Sequence, residues 1–234
     1  MKPAVLFDLG NTLAAYYRAD EFGPILEQIV GDLHRTLTER GLTAVSGEAA
    51  LASAIAENRE APDHRFMPMA ERLERIFGVP LAHDADLADT LCRTFLGPIF
   101  ALGRLYADTL PVLAQLRQAG HPIGVVSNTP WGSPPELWRD ELMRLGLSAE
   151  VDALVFCGDA GWRKPAPEIF ERAAAAVDRR IGDCVFVGDD LRWDVAGSRS
   201  VGMRPILIDR DGRHRNHDEN RIEDLFGVFP LLER

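Results

Sequence analysis

The chain has 234 residues, room for one large domain or for one domain with a modest insert. Its 46% apolar and 26% charged residues are ordinary globular composition, which argues against a disordered chain, a fibre or a membrane protein. With 26 Lys and Arg against 36 Asp and Glu the formal charge is −10; neutralising phosphates takes surplus basic residues, so no nucleic acid and no anionic membrane is expected as a partner.

Cys92, Cys157 and Cys184 form an odd set without a CxxC pair. They are expected to be small buried residues in a reducing compartment, not disulfides or zinc ligands. Met1-Lys2-Pro3 is followed by four apolar residues before Asp8, and no apolar stretch approaches the length of a membrane span. Neither a signal peptide nor a span is visible, and a cytoplasmic location is expected.

In chain order, the apolar run Ala4–Phe7 predicts a strand buried on both faces, ending at Asp8-Leu9-Gly10-Asn11-Thr12. No strand is expected from Thr12 to about Tyr106. There Leu26, Ile29, Val30, Leu33 and Leu37 fall at helical spacing. The Ala-rich stretch Ser46–Asn58 begins with a capping residue, and Met69–Phe77 and Asp84–Leu96 complete four helices. Gly41, Pro62, Pro68, Gly78-Val79-Pro80 and Gly97-Pro98 separate them. Beyond this stretch strand and helix alternate: helix Thr109–Ala119, strand Ile123–Val126, helix Pro135–Leu145, strand Ala153–Phe156, helix Pro167–Val177, strand Cys184–Val187, helix Leu191–Ser200 and strand Pro205–Ile208. The polar segment Asp209–Arg221 reads as a solvated loop; His214 and His217 within it lack a third ligand for a metal. The pattern predicts an α/β fold, a doubly wound parallel sheet with an all-helical insert after the first strand. Residues 1–15 and 103–234 would form the α/β core and residues 16–102 the helical insert.

In open α/β sheets ligands bind beyond the carboxyl ends of the strands, so the residues following each apolar run carry the chemistry. These are Asp8 after the first, Ser127-Asn128 after the second, Arg163-Lys164-Pro165 beyond the third, and Gly188-Asp189-Asp190 with Asp194 after the fourth. A carboxylate can act as a nucleophile, and a phosphoryl group needs positive charge and hydrogen-bond donors. Asp8 and Asp189 would repel each other and a phosphate unless a hard cation such as Mg²⁺ lay between them.

The four segments resemble the motifs of the haloacid dehalogenase-like (HAD) hydrolase superfamily. Val5-Leu6-Phe7-Asp8-Leu9-Gly10-Asn11-Thr12-Leu13 is similar to the first, Val125-Val126-Ser127-Asn128 to the second, Lys164-Pro165-Ala166-Pro167-Glu168-Ile169-Phe170 to the third and Phe186-Val187-Gly188-Asp189-Asp190-Leu191-Arg192-Trp193-Asp194 to the fourth. The resemblance implies a Rossmann-like core, a helical cap over residues 16–102, and a Mg²⁺-dependent phosphatase acting on a small phosphorylated metabolite. It implies Asp8 as nucleophile, with Leu9, Gly10, Ser127 and Asn128 around the phosphate and Lys164 neutralising charge. Asp8, the Gly10 carbonyl and Asp189 would hold the metal, with Thr12 and Asp194 behind them.

One residue departs from the pattern. The superfamily's first motif usually has a second Asp two residues after the nucleophile, which protonates the leaving group and activates water; here Gly10 stands there. A preference for good leaving groups follows, and a cap residue or a water would have to substitute. Gly10 is also expected to serve backbone freedom in a tight turn. Two rival readings stand beside the phosphatase: a 2-haloacid dehalogenase, which also lacks that Asp and needs no metal, and a non-catalytic protein that binds a phosphate ligand. Asp190 is expected to favour a helix N-terminus. Two readings of Trp131 stay open, a wall of the substrate passage or a packing anchor. Tyr16, Tyr17, Arg18 and Asp20 lie where a hinge would bring them near the site. A homodimer is compatible with this reading, which sets no oligomeric state.

Overall fold

The computed structural model describes residues 2–216 and 220–233. β1 (Ala4–Phe7) leads into a two-residue strand, β2 (Ala14–Ala15). Four helices follow: α1 (Phe22–Glu39), α2 (Gly47–Glu57), α3 (Met69–Phe77) and α4 (Ala85–Leu102). The chain returns through β3 (Arg104–Leu105), α5 (Thr109–Gln118), β4 (Ile123–Ser127), α6 (Pro135–Arg144), β5 (Ala153–Phe156), the single-turn α7 (Cys157–Ala160), α8 (Pro167–Ala176) and β6 (Cys184–Gly188). A wide π turn over Leu191–Ala196 runs into α9 (Gly197–Ser200), and β7 (Arg204–Ile208), β8 (Arg221–Ile222) and α10 (Val228–Leu232) end the chain. Six strands form a parallel sheet in the order β5-β4-β1-β6-β7-β8.

The side-chain alternation of a strand explains the layers. Val5 and Phe7 of β1 join one apolar cluster, with Val112, Leu113 and Leu116 of α5 and the buried faces of α1 to α4. Ala4 and Leu6 point to the other cluster, with Ile169, Phe170 and Ala173 of α8. Both faces are covered, so the strands read as unbroken apolar runs. The expected α/β class, with helices on both faces of a parallel sheet, is what the chain adopts.

Several local expectations are corrected. Strands do occur between Thr12 and Tyr106: β2 and β3 pair antiparallel, Ala14 opposite Leu105 and Ala15 opposite Arg104, and bracket the four helices. Two-residue strands leave no periodic signal. Gly97-Pro98 does not end the fourth helix, which runs on to Leu102 with Pro98 inside it. Proline removes one backbone hydrogen bond, but Phe95, Leu96 and Ile99 are fully buried on either side, and their packing holds the helix together. Asp209–Arg221 is not simply a solvated loop. Asp209 is 3% exposed, and its carboxylate accepts the backbone N–H groups of Arg213 and His214 at 2.8 and 3.0 Å and Arg221 Nε at 2.8 Å. Its last residue begins the unpredicted sixth strand of the sheet, β8. His217 lies outside the described residues.

The helical insert touches the rest of the chain at a second place. Phe66 N–H donates to the Gly161 carbonyl at 3.0 Å and Arg163 N–H to the His64 carbonyl at 2.8 Å, a short antiparallel bridge. Gly132, at φ +68°, lies so close to the Met67 carbonyl that a Cβ would overlap it. No helix among the described residues is long and apolar enough to cross a membrane.

Candidate active site

The register of the sheet gathers the site. Phe7 lies level with Val125 of β4 and Val187 of β6, so Asp8, Ser127 and Asp189 all emerge at the same carboxyl edge. Strand order reverses on either side of β1, which opens a crevice there. Asp8 N–H is fixed by the Val187 carbonyl at 2.9 Å.

Lys164 is 2% exposed. Its Nζ donates to Asp8 Oδ1 at 2.5 Å and to Asp194 Oδ1 at 2.7 Å. Burial disfavours its charge, but the carboxylates of Asp194 and Asp8 more than offset this, and its pKa is raised. Ser127 Oγ donates to the same oxygen of Asp8 at 3.3 Å. The Asn128 side chain clamps the backbone of Lys164, accepting its N–H at 2.8 Å and donating to its carbonyl at 3.1 Å. Residues from the second and third motif segments are thereby locked together 36 positions apart. Asp194 is held in turn by the Asp190 N–H at 3.1 Å. It occupies the space that a side chain at Gly188 would fill, since a Cβ there would lie 2.4 Å from the carboxyl group. Asp190 accepts the N–H groups of Arg192 and Trp193 at 2.8 Å each, capping the π turn.

Carboxylate oxygens of Asp8, Asp189 and Asp194 lie within 4.8 Å of one another. Three carboxyl groups face one ammonium, an excess of negative charge that a divalent cation would compensate. Burial, then the charges of Asp8 and Asp194, push the Asp189 carboxyl up to about 8. Among the described residues, Asp8 Oδ2 and both oxygens of Asp189 accept no hydrogen bond. The donor set therefore fits a hard cation held by Asp8 and Asp189, while both oxygens of Asp194 are already engaged by Lys164 and the Asp190 N–H.

A cavity of about 150 Å³ opens beside Asp8, lined by Leu9, Gly10, Ser127, Asn128, Tyr16 and Trp138 among others. Leu9 buries its side chain in the core and also lines this cavity. Gly10 does not need glycine's backbone freedom, contrary to expectation. The residue at positive φ is Asn11, at +58°, and a Cβ on Gly10 would meet nothing within 4 Å. Thr12 is fully buried, but its hydroxyl has no hydrogen-bond partner among the described residues. Trp131 is mainly an anchor: it packs on Phe95 with centroids 5.0 Å apart and donates from Nε1 to Asn58 Oδ1 at 3.0 Å, while one side lines a neighbouring cleft. Tyr16 and Tyr17 line the cavity, as their place near the hinge suggested. No sequence signal marks Tyr106 and Arg210, which stack at 3.8 Å beside the site. Arg210 is fixed by Asp108 at 3.0 and 3.1 Å, from residues 102 positions apart with no local pattern joining them.

A family model described as haloacid dehalogenase-like hydrolase matches residues 2–202. Ribulose-1,5-bisphosphate 5-phosphatase of Halopiger xanaduensis is 30% identical over 225 residues, 89% of this chain and 85% of that protein. The solved structure of a HAD phosphatase from Thermococcus onnurineus is 28% identical, with a TM-score of 0.68 over 99% of this chain and 98% of that one. A 2-haloacid dehalogenase from Pseudomonas syringae pv. Tomato DC3000 is similar with a TM-score of 0.71 over 100% and 98%, at 23% identity, a likeness of fold. With four motif segments converging on Asp8 and a matching family model over most of its length, this chain belongs to the haloacid dehalogenase-like hydrolases.

Proposed function

We propose that the chain is a Mg²⁺-dependent phosphatase that hydrolyses a small phosphomonoester through an aspartyl-phosphate on Asp8. The reading is carried by one arrangement: a buried ammonium, Lys164, shared between Asp8 and Asp194 at 2.5 and 2.7 Å, with Ser127 on the same oxygen of Asp8. Asp8 and Asp189, with the Gly10 carbonyl, would hold the metal, which supplies positive charge to the phosphoryl oxygens. A carboxylate oxygen of Asp8 attacks phosphorus in line, the ester P–O bond breaks, and the leaving oxygen takes its proton from water. Lys164 and Ser127 bind the phosphoryl oxygens as charge shifts onto them. Water then attacks the same phosphorus and releases Asp8 and inorganic phosphate. Residues 16–102 act as the cap that shields this exchange from bulk water.

Phosphate release from a panel of phosphorylated metabolites, with and without Mg²⁺, tests the reading. Turnover that needs Mg²⁺, is removed by a chelator and vanishes in Asp8→Asn supports it. Chelator-resistant halide release from a 2-chloro acid would put the dehalogenase in its place. Phosphate binding without turnover would leave a binding protein.

A further inference from the structure

The cavity beside Asp8 adjoins a larger cleft of about 350 Å³ through Tyr17 and Pro130, which line both. The cleft lies between the helical insert and the sheet domain, and three arginines reach it: Arg59 and Arg72 from the insert and Arg163 from the segment before Lys164. Arg72 is 4% exposed. Its Nη1 donates to the carbonyls of Glu57 and Arg59, and its Nε has no acceptor among the described residues. Arg163 donates to the Thr129 carbonyl at 2.8 Å and to Glu60 at 2.9 Å, and its Nε is also unpartnered among the described residues. The Arg59 guanidinium makes no hydrogen bond or ion pair among the described residues. Among the residues lining the cleft three guanidinium groups thus meet one carboxylate, Glu60, in a chain whose formal charge is −10. Glu57, whose charge also acts on Arg72, is paired with Arg75 at 2.9 Å. Tyr17, stacked on Phe22 at 5.0 Å, and Trp131 supply apolar walls beside them.

Gathering like charges in a partly desolvated cleft is unfavourable unless something compensates them. Backbone carbonyls satisfy donors but do not neutralise charge. An anion would do both, and guanidinium groups suit carboxylate and phosphate geometry. We propose that this cleft receives a second acidic group on the substrate, a carboxylate or a second phosphate, carried by the leaving group away from the bond that breaks. The inference rests on the phosphatase reading and narrows its substrate class to phosphomonoesters with a distal anion. Tyr17 and Trp131 flank the short carbon skeleton between the two anions.

The test compares matched esters. 3-Carboxyphenyl phosphate is set against 3-carbamoylphenyl phosphate, which is nearly the same shape but neutral at the distal end. Propane-1,3-diol bisphosphate is set against its monophosphate, so that the two arms tell a carboxylate from a phosphate preference. The wild-type protein is expected to favour the anionic member of at least one pair by about tenfold in kcat/KM, chiefly through KM, the size of one good charge-assisted contact. In Arg59→Gln, an exposed position, and in Arg163→Gln, that ratio is expected to shrink to about threefold or less. Equal kcat/KM within both pairs in the wild-type protein, or a preference untouched by both variants, would overturn the inference and leave the phosphatase reading standing. If none of the four esters releases phosphate in the presence of Mg²⁺, both readings fall.

Discussion

Gly10→Asp restores a carboxyl group where the chain departs from the motif it resembles, and the structure gives no steric reason for the departure. A Cβ at position 10 meets no heavy atom within 4 Å, and the left-handed backbone conformation in this turn belongs to Asn11. A substitution into open space with ordinary backbone angles changes stability by about 0.5 kcal/mol or less. The added carboxyl would join Asp8 and Asp189 in an already acidic site, so the comparison is made at saturating Mg²⁺. A positioned acid–base group contributes about 10²–10⁴-fold when the leaving oxygen needs a proton. For an alkyl phosphate, whose alkoxide is a poor leaving group, kcat is expected to rise about 100-fold, or about 2.7 kcal/mol. For 4-nitrophenyl phosphate, which departs as a stable anion, the gain should stay within about threefold. The assay is steady-state phosphate release across esters of graded leaving-group pKa: a steep dependence in the wild-type protein and a flatter one in the variant. A folded variant with no gain on the alkyl ester would show that another residue or an ordered water already supplies the proton, and that Gly10 is not the limiting feature of this site.

Three further outcomes follow from the geometry. Gly188→Ala places a methyl group against the carboxyl of Asp194, so Lys164 should lose one of its two anchors; phosphate release is expected to fall by about 100-fold, with destabilisation of about 1–3 kcal/mol in urea unfolding. Lys164→Met removes the buried ammonium between Asp8 and Asp194; in the metal-free protein this should cost about 3–5 kcal/mol of stability, and in the presence of Mg²⁺ it should abolish turnover, and an unchanged unfolding midpoint would contradict the assigned charge balance. At Asp209 burial alone would raise the pKa, but the Arg221 guanidinium and the His214 and Arg213 N–H groups hold it below the usual carboxylate value. Its folded pKa is therefore depressed, so its contribution to stability is present above about pH 4 and is lost as pH falls through the folded value. The stability gap between wild type and Asp209→Asn should narrow on acidification below pH 4, and a gap that stays constant there would refute it.

What the sequence discloses depends on how locally each feature is encoded. β1, β4 and β6 are buried throughout, β7 over most of its length and β5 over half of it, so each stands out as a continuous apolar run. The side chains at their carboxyl ends are legible for the same reason: an ionisable or hydroxyl residue ending such a run has little purpose in a core. Asp8, Ser127 and Asp189 are all found that way, and Lys164 from the loop beyond β5. The β2–β3 ribbon is too short to show a period, and α4 crosses Gly97-Pro98 only because Phe95, Leu96 and Ile99 are packed around it. The resemblance implies Thr12 behind the cluster, yet its buried hydroxyl makes no hydrogen bond to it. The arginine cleft lies at the far end of this scale. Arg163 adjoins the Lys164-Pro165 segment that the sequence marks, but nothing in the residues around Arg59 or Arg72 distinguishes either from an ordinary surface arginine. The proposed chemical step thus rests on strand ends, where sequence and position coincide, whereas the proposed site for a distal anion rests on a cleft formed only where the helical insert meets the sheet domain.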